Sequence, residues 1–135
     1  MGSVSIESSK ALAMLRFSML AGLNASLASV AGKVAFDRDF LVSAVFGGTA
    51  PAPAVLLAAR GAAVAALLAL NALLFRFVAL GMSRAEGSVQ VTAIVCAVNF
   101  LLSGVFGWLL FGEALSLRWA LGAVLMVAGI GLLRE

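Results

Sequence analysis

Long apolar runs alternate with short polar interruptions along the chain. After the polar opening MGSVSIESSK, residues 1–10, apolar segments cover Ala11 to Gly32, Val55 to Leu80, Ser88 to Phe111 and Ser116 to Leu133. Crossing a bilayer takes about 20 residues of helix. The pattern therefore predicts an all-α, polytopic membrane protein, a bundle of four transmembrane helices forming one domain over 11–135. The fourth span is the shortest, about 27 Å of helix. Arg118 and Trp119 would anchor its start at the interface, and Arg134 its end.

The interruptions support these limits. FDRDF and GGTAPAP, between the first two spans, combine charge, glycine and proline, which stop helices. The apolar FLVSAVF between them is too short to span and is expected to pack on the bundle at the interface. GMSRAEG and GEALS are short turns, so the helices they join should be antiparallel neighbours. At the last turn Gly112 suits a left-handed helix stop. Ser116 suits an N-cap, with Glu113 near the positive end of the next helix dipole.

Lipid supplies no hydrophobic drive between helices, so small residues that allow close approach mark their contacts. In the third span Ser88, Thr92, Cys96, Asn99, Ser103 and Gly107 share one face at helical spacing. That face should meet the bundle, leaving Val91, Ile94, Val98, Leu102, Val105 and Leu109 outside. The first span has a small stripe, Ser18, Gly22, Ser26, Ser29 and Lys33, and little bulk elsewhere, so it should be central. The second places Gly61, Ala65 and Ala69 four apart. Gly122 and Gly129 in the fourth make a groove for another helix, one from a second subunit included.

Asn24, Asn71 and Asn99 fall near mid-membrane, one in each of the first three spans. Each amide needs a partner that lipid cannot offer. Two readings stand: hydrogen bonds between helices, or a polar site around a solute. Arg16, Arg60 and Arg76 lie near span ends, where long side chains snorkel. Lys33, at the end of the first span, either does the same or lines a pathway.

Composition agrees with a lipid solvent. Of 135 residues, 64% are hydrophobic and 11% charged, against about a quarter charged in soluble domains. The net charge of +3 comes from scattered cations, with no basic patch for nucleic acid. A single cysteine and no histidine remove the usual zinc and Cys/His catalytic sets. No metal, cofactor or enzymatic activity is expected. Arg16 interrupts the first apolar run, so an uncleaved span is expected rather than a signal peptide. Ile6 breaks the myristoylation pattern. Lys10, Arg16, Arg76, Arg84 and Arg134 fall on the side of the termini, and Lys33, Arg38, Arg60 and Arg118 on the other. That small excess favours cytoplasmic termini. Such near-balance also permits insertion both ways round and pairing with an inverted copy.

The segment SGVFGWLLFGEALSLRWALGAVLMVAGIGLL resembles the end of an EamA-type repeat of the drug/metabolite transporter superfamily. Such repeats run from an apolar helix through a Gly-Glu joint and a leucine-containing turn to a helix with two spaced glycines. Here those features are Gly112-Glu113, Leu115, Gly122 and Gly129. AGLNASLASVAGKVAF resembles the first helix of the same repeat. The stretch from NALLFRFVALGMS through NFLLSGVFGWLLFGE is most similar to the transmembrane protein 42 family, small single-repeat members of the group. The resemblance implies a transporter of a small organic solute, working as a homodimer because a lone repeat needs a partner to complete a midplane cavity. Small multidrug-resistance proteins, four-helix relatives, use a glutamate in their first helix for proton-coupled export. This chain has Asn24 there, and Glu7, Asp37, Asp39, Glu86, Glu113 and Glu135 are all assigned to tails or connectors, so that mechanism is not expected.

Two functions follow. In the first, Asn24, Lys33, Asn71, Cys96 and Asn99 line a solute path, Gly112 and Glu113 shape the joint, and Gly22, Ser103, Gly107, Gly122 and Gly129 pack helices. In the second, the same residues serve a non-transporting membrane protein that packs against or assembles with other helices.

Overall fold

The computed structural model describes residues 2–85 and 87–132, with side chains from Ile6 onward. Glu86, Leu133, Arg134 and Glu135 lie outside the described residues. So do the anchoring role expected of Arg134, the end of the fourth span and the placements expected for the two glutamates. Five helices and no strand form among the described residues. They are α1 (Gly2–Phe36), α2 (Arg38–Phe46), α3 (Pro53–Met82), α4 (Ser88–Phe111) and α5 (Leu117–Leu132). The polar N-terminal stretch thus continues the first span as helix rather than standing apart from it.

Three segments, Ile6–Phe36, Pro53–Met82 and Ser88–Phe111, are long and apolar enough to cross a membrane. The fourth expected span is an apolar helix of 16 residues, about 24 Å long, shorter than those three. Bulk is distributed as lipid would require. The buried apolar residues are mostly alanines, Ala21, Ala28, Ala35 and Ala97, with Leu41, Val91 and Ile94, whereas Leu57, Phe75, Leu121 and Leu125 stand exposed.

α1 is central, touching α2, α3 and α4, whereas α5 packs on α4 alone. Contacts along each pair fix direction. Gly81 of α3 meets Ser18 of α1, and Leu67 meets Gly32, so these two run antiparallel. Val98 of α4 meets Gly22 of α1, and Phe111 meets Lys33, so α4 runs parallel to α1. Trp119 of α5 lies against Gly104 and stacks on Phe100, while Gly122 faces the same Phe100 ring, so α5 returns antiparallel to α4.

This packing corrects the expected faces. Ser88, Thr92 and Cys96 are exposed, while Val91 and Ile94, expected outside, are buried. Only the far half of the polar stripe turns inward, with Asn99 and Ser103 half-buried and Gly107 buried. The physical reason is complementarity. Close approach needs small residues on one helix of a pair, and α1 already supplies Ser18, Ala21 and Gly22, so α4 fills the space with Val91, Ile94 and Val98. Likewise Gly61, Ala65 and Ala69 face outward, and α3 meets α1 through bulkier Leu67. Among the described residues no heavy atom lies within 4 Å of a Cβ built at Gly129, so it makes no helix contact there.

The connectors fold as capped turns. Asp37 accepts a hydrogen bond from the Phe40 N–H at 3.0 Å and starts α2, and Gly47 ends it in the left-handed region at φ 63°. FLVSAVF is therefore helical, with Leu41 buried and Phe40 edge-on to Phe111 at 4.6 Å between ring centroids. Gly112 ends α4 at φ 64°, ψ 20°, and its N–H donates to the Gly107 carbonyl. Ser116 Oγ accepts from the Trp119 N–H at 3.2 Å at the start of α5. Both caps match the sequence reading.

α1 and α4 cross closely at Gly22. A Cβ at Gly22 would lie 2.6 Å from Val98 Cβ. Gly22→Ala gains about 1 kcal/mol of helix propensity, but a forced shift of packed backbones costs about 1–3 kcal/mol. Net destabilisation is expected, read as a lower unfolding temperature in detergent. The double variant Gly22→Ala/Val98→Ala should recover most of the loss.

Candidate functional site

The C-terminal end of α1 and the α4–α5 joint come together. Lys33, in the last turn of α1, donates to Glu113 Oε1 at 2.6 Å, and its ammonium sits 3.9 Å above the centroid of the Phe111 ring. Local structure explains why the carboxylate is there. Gly112 reverses the chain after α4, and the Glu113 N–H donates back to the Gly107 carbonyl at 3.1 Å. This folds the glutamate over the end of its own helix. Gly107 has no Cβ, and one built there would lie 3.0 Å from Glu113 Oε2.

The pair belongs to an open cavity of about 160 Å³, lined by Ser26, Ser29, Lys33, Ser103, Phe111 and Glu113 among others. Its hydroxyls have a defined polarity. Ser26 donates to Leu23 O at 2.9 Å, Ser29 to Ala25 O at 3.2 Å, and Ser103 to Asn99 Oδ1 at 3.2 Å. A hydroxyl whose proton is so used keeps its acceptor lone pairs for a guest. Ser26 is fully buried, so the wall offers two acceptor oxygens, from Ser29 and Ser103, with a carboxylate and one ammonium. It suits a small solute rich in N–H or O–H donors that also carries an acceptor for Lys33.

Of the residues expected to line a path, Lys33 meets Glu113 of the expected helix joint, and Asn99 accepts from Ser103, which lines the same cavity. The other amides stay apart. Asn24 Nδ2 donates to Leu20 O at 2.7 Å and Asn71 Nδ2 to Leu67 O at 2.9 Å, each within its own helix. Among the described residues none of the three bonds across helices, which corrects the first of the two readings, inter-helix amide contacts. For Asn24 and Asn71 the partner is the carbonyl one turn back, an acceptor within reach in any helix, while Asn99 accepts from Ser103 one turn on. Cys96 is exposed on the outer side of α4, away from this cavity.

Ser26, Ser29 and Phe111 are cavity residues that motif reasoning did not single out as a site. The Lys33–Glu113 pair had a usable signal. In a chain of four spans, the end of the first and the joint between the third and fourth lie on the same side of the membrane. No cluster of three or more His, Cys, Asp or Glu side chains that could hold a metal occurs among the described residues. No protein-family model matches the chain, and no solved structure matches it.

Two outcomes follow from this geometry. Lys33 is 34% exposed and Glu113 59%, so the pair resembles a surface ion pair, worth about 0.5–1 kcal/mol. A double-mutant cycle with Lys33→Gln and Glu113→Gln should return a coupling of that size, falling with salt. Cys96 is about 12 Å of helix from the start of α4 and faces outward. In intact bilayers a charged, water-borne thiol reagent should leave it unmodified, whereas denatured protein should react fully.

Proposed function

We propose that this is a small-solute transporter of the EamA-like, transmembrane protein 42 kind, working as a homodimer in which the Lys33–Glu113 cavity contacts the solute. The observation that carries the proposal is the joining of an ammonium, a carboxylate and two accessible serine hydroxyls at one end of mostly apolar helices. Charged groups at membrane helices lean toward function. The resemblance around Gly112-Glu113 supports the same reading.

The size of the cavity supports a second copy. Solute pockets occupy about 300–1,000 Å³, and this one has about 160 Å³ and an open side. A facing copy would supply the missing wall, and the exposed outer faces of α3 and α5 leave room for it. Four spans, with α5 completing the crossing, belong to this proposal.

A second reading, a non-transporting packing or assembly partner, draws on the amides. Asn24 and Asn71 are satisfied within their own helices, so no continuous polar track joins them to the cavity.

Purified protein in liposomes, offered a panel of small solutes rich in hydrogen-bond donors, should take up at least one. Lys33→Gln and Glu113→Gln should each lower that uptake about tenfold, the scale of a lost charge-assisted contact. Uptake of nothing across the panel, or unchanged uptake in both variants, favours the packing partner.

A further inference from the structure

The opposite end of the helices carries a second charged cavity. Arg16 of α1 and Arg84, in the turn after α3, line one open cavity of about 360 Å³ with Ser9, Leu12, Phe17 and Leu20. The Arg84 guanidinium carbon lies 5.8 Å from the Phe17 ring centroid, and Phe17 in turn stacks on Phe77 of α3. Both arginines are exposed. Among the described residues the ion pair within 4 Å is Lys33–Glu113, at the other end, and no carboxylate lines this cavity. Arg84 also borders a neighbouring cavity with Lys10 and Glu7. Locally, three cations thus face one described acid.

Depth identifies the occupant. α3 ends at Met82 and α4 begins at Ser88, and Gly81 packs against Ser18. Three helices therefore pass this level together, which sets the edge of the hydrocarbon layer close to Arg16. Leu12 lies about one turn outside that level and Leu20 about one turn inside. Leu20 is exposed toward the layer. Guanidinium groups bind phosphate oxygens in bidentate fashion, and basic residues at this depth attract anionic lipids. A free phosphate would use the arginines but not Leu20 and Phe17.

We propose that Arg16 and Arg84 bind the phosphate of an anionic phospholipid, with an acyl chain running along Phe17 and Leu20. The site is independent of the Lys33–Glu113 cavity and of any transport.

The test uses the full chain in detergent, supplied with phosphatidylglycerol and phosphatidylcholine in equal amounts, with retained lipid counted by native mass spectrometry. Phosphatidylglycerol should be retained in preference. Arg16→Gln and Arg84→Gln should each cut that retention about fivefold, Arg16→Lys should keep most of it, and Arg38→Gln, at the other end, should change nothing. The wild-type chain supplies a second readout that does not depend on variants folding. Phosphatidylglycerol, and not phosphatidylcholine, should shield Arg16 and Arg84 from an arginine-selective dicarbonyl reagent, mapped by peptide mass. Equal retention of the two lipids, unchanged retention in helical glutamine variants, or no shielding would overturn the proposal. Displacement of the lipid by excess inorganic phosphate would overturn the lipid assignment and leave a site for free phosphate.

Discussion

The arrangement depends on the lack of bulk along α1. In lipid, helices adhere through close packing rather than escape from water. Ser18, Ala21, Gly22, Ser26 and Ala28 are buried, so α1 lets neighbours approach on more than one side. α4 and α3 answer with valine and leucine, and α5, excluded from α1, settles on the outer side of α4. The result is a cluster of α1, α3 and α4, in which Gly81 of α3 also meets Val91 of α4, with α5 on its edge. Bulky side chains then point outward from the cluster, where hydrocarbon is the natural solvent.

The ionic site follows from the parallel pairing of α1 and α4. Because α1 and α4 run parallel, their C-terminal ends arrive at the same level, one ending near Lys33 and the other at Gly112. The left-handed turn at Gly112 and the bare backbone at Gly107 bring Glu113 over the end of α4, where the nearest described cation is Lys33. Phe111 adds its ring face beneath the ammonium, a contact of about 0.5–1 kcal/mol, and Phe40 of α2 braces that ring from the side. A single cation thus ties together α1, the α4–α5 joint and, through two rings, the connector helix. Each contribution is modest, and their convergence fixes the geometry.

Much of this was legible in the chain. Run lengths place α3 and α4 to within two residues, whereas α1 starts nine residues before its apolar run because the polar N-terminal stretch is also helical. Gly112 and Ser116 mark caps because both act through local backbone chemistry. The central place of α1 could be read from its small side chains. The face of α4 could not, since a small stripe shows where close approach is possible without saying which helix of a pair provides it. The same limit applied to Gly61, Ala65 and Ala69. The partners of Asn24 and Asn71 were hidden for a related reason: a buried asparagine needs a partner, and a carbonyl one turn back is always on offer within the same helix. Glu113 looked sufficiently explained by the helix dipole nearby, and its true partner lies 80 residues away in sequence.

The contact between Lys33 and Glu113 can be measured directly in a bilayer. The chain has two lysines, Lys10 and Lys33, so a Lys10→Arg variant carrying side-chain ¹⁵N-lysine labels Lys33 alone. With ¹³C-labelled glutamate carboxyls, solid-state NMR dipolar dephasing in lipid bilayers measures the separation directly. Strong dephasing, for atoms within about 4 Å, that vanishes on Glu113→Gln is the predicted result. Absence of dephasing in well-folded protein, or dephasing that survives Glu113→Gln, would contradict it.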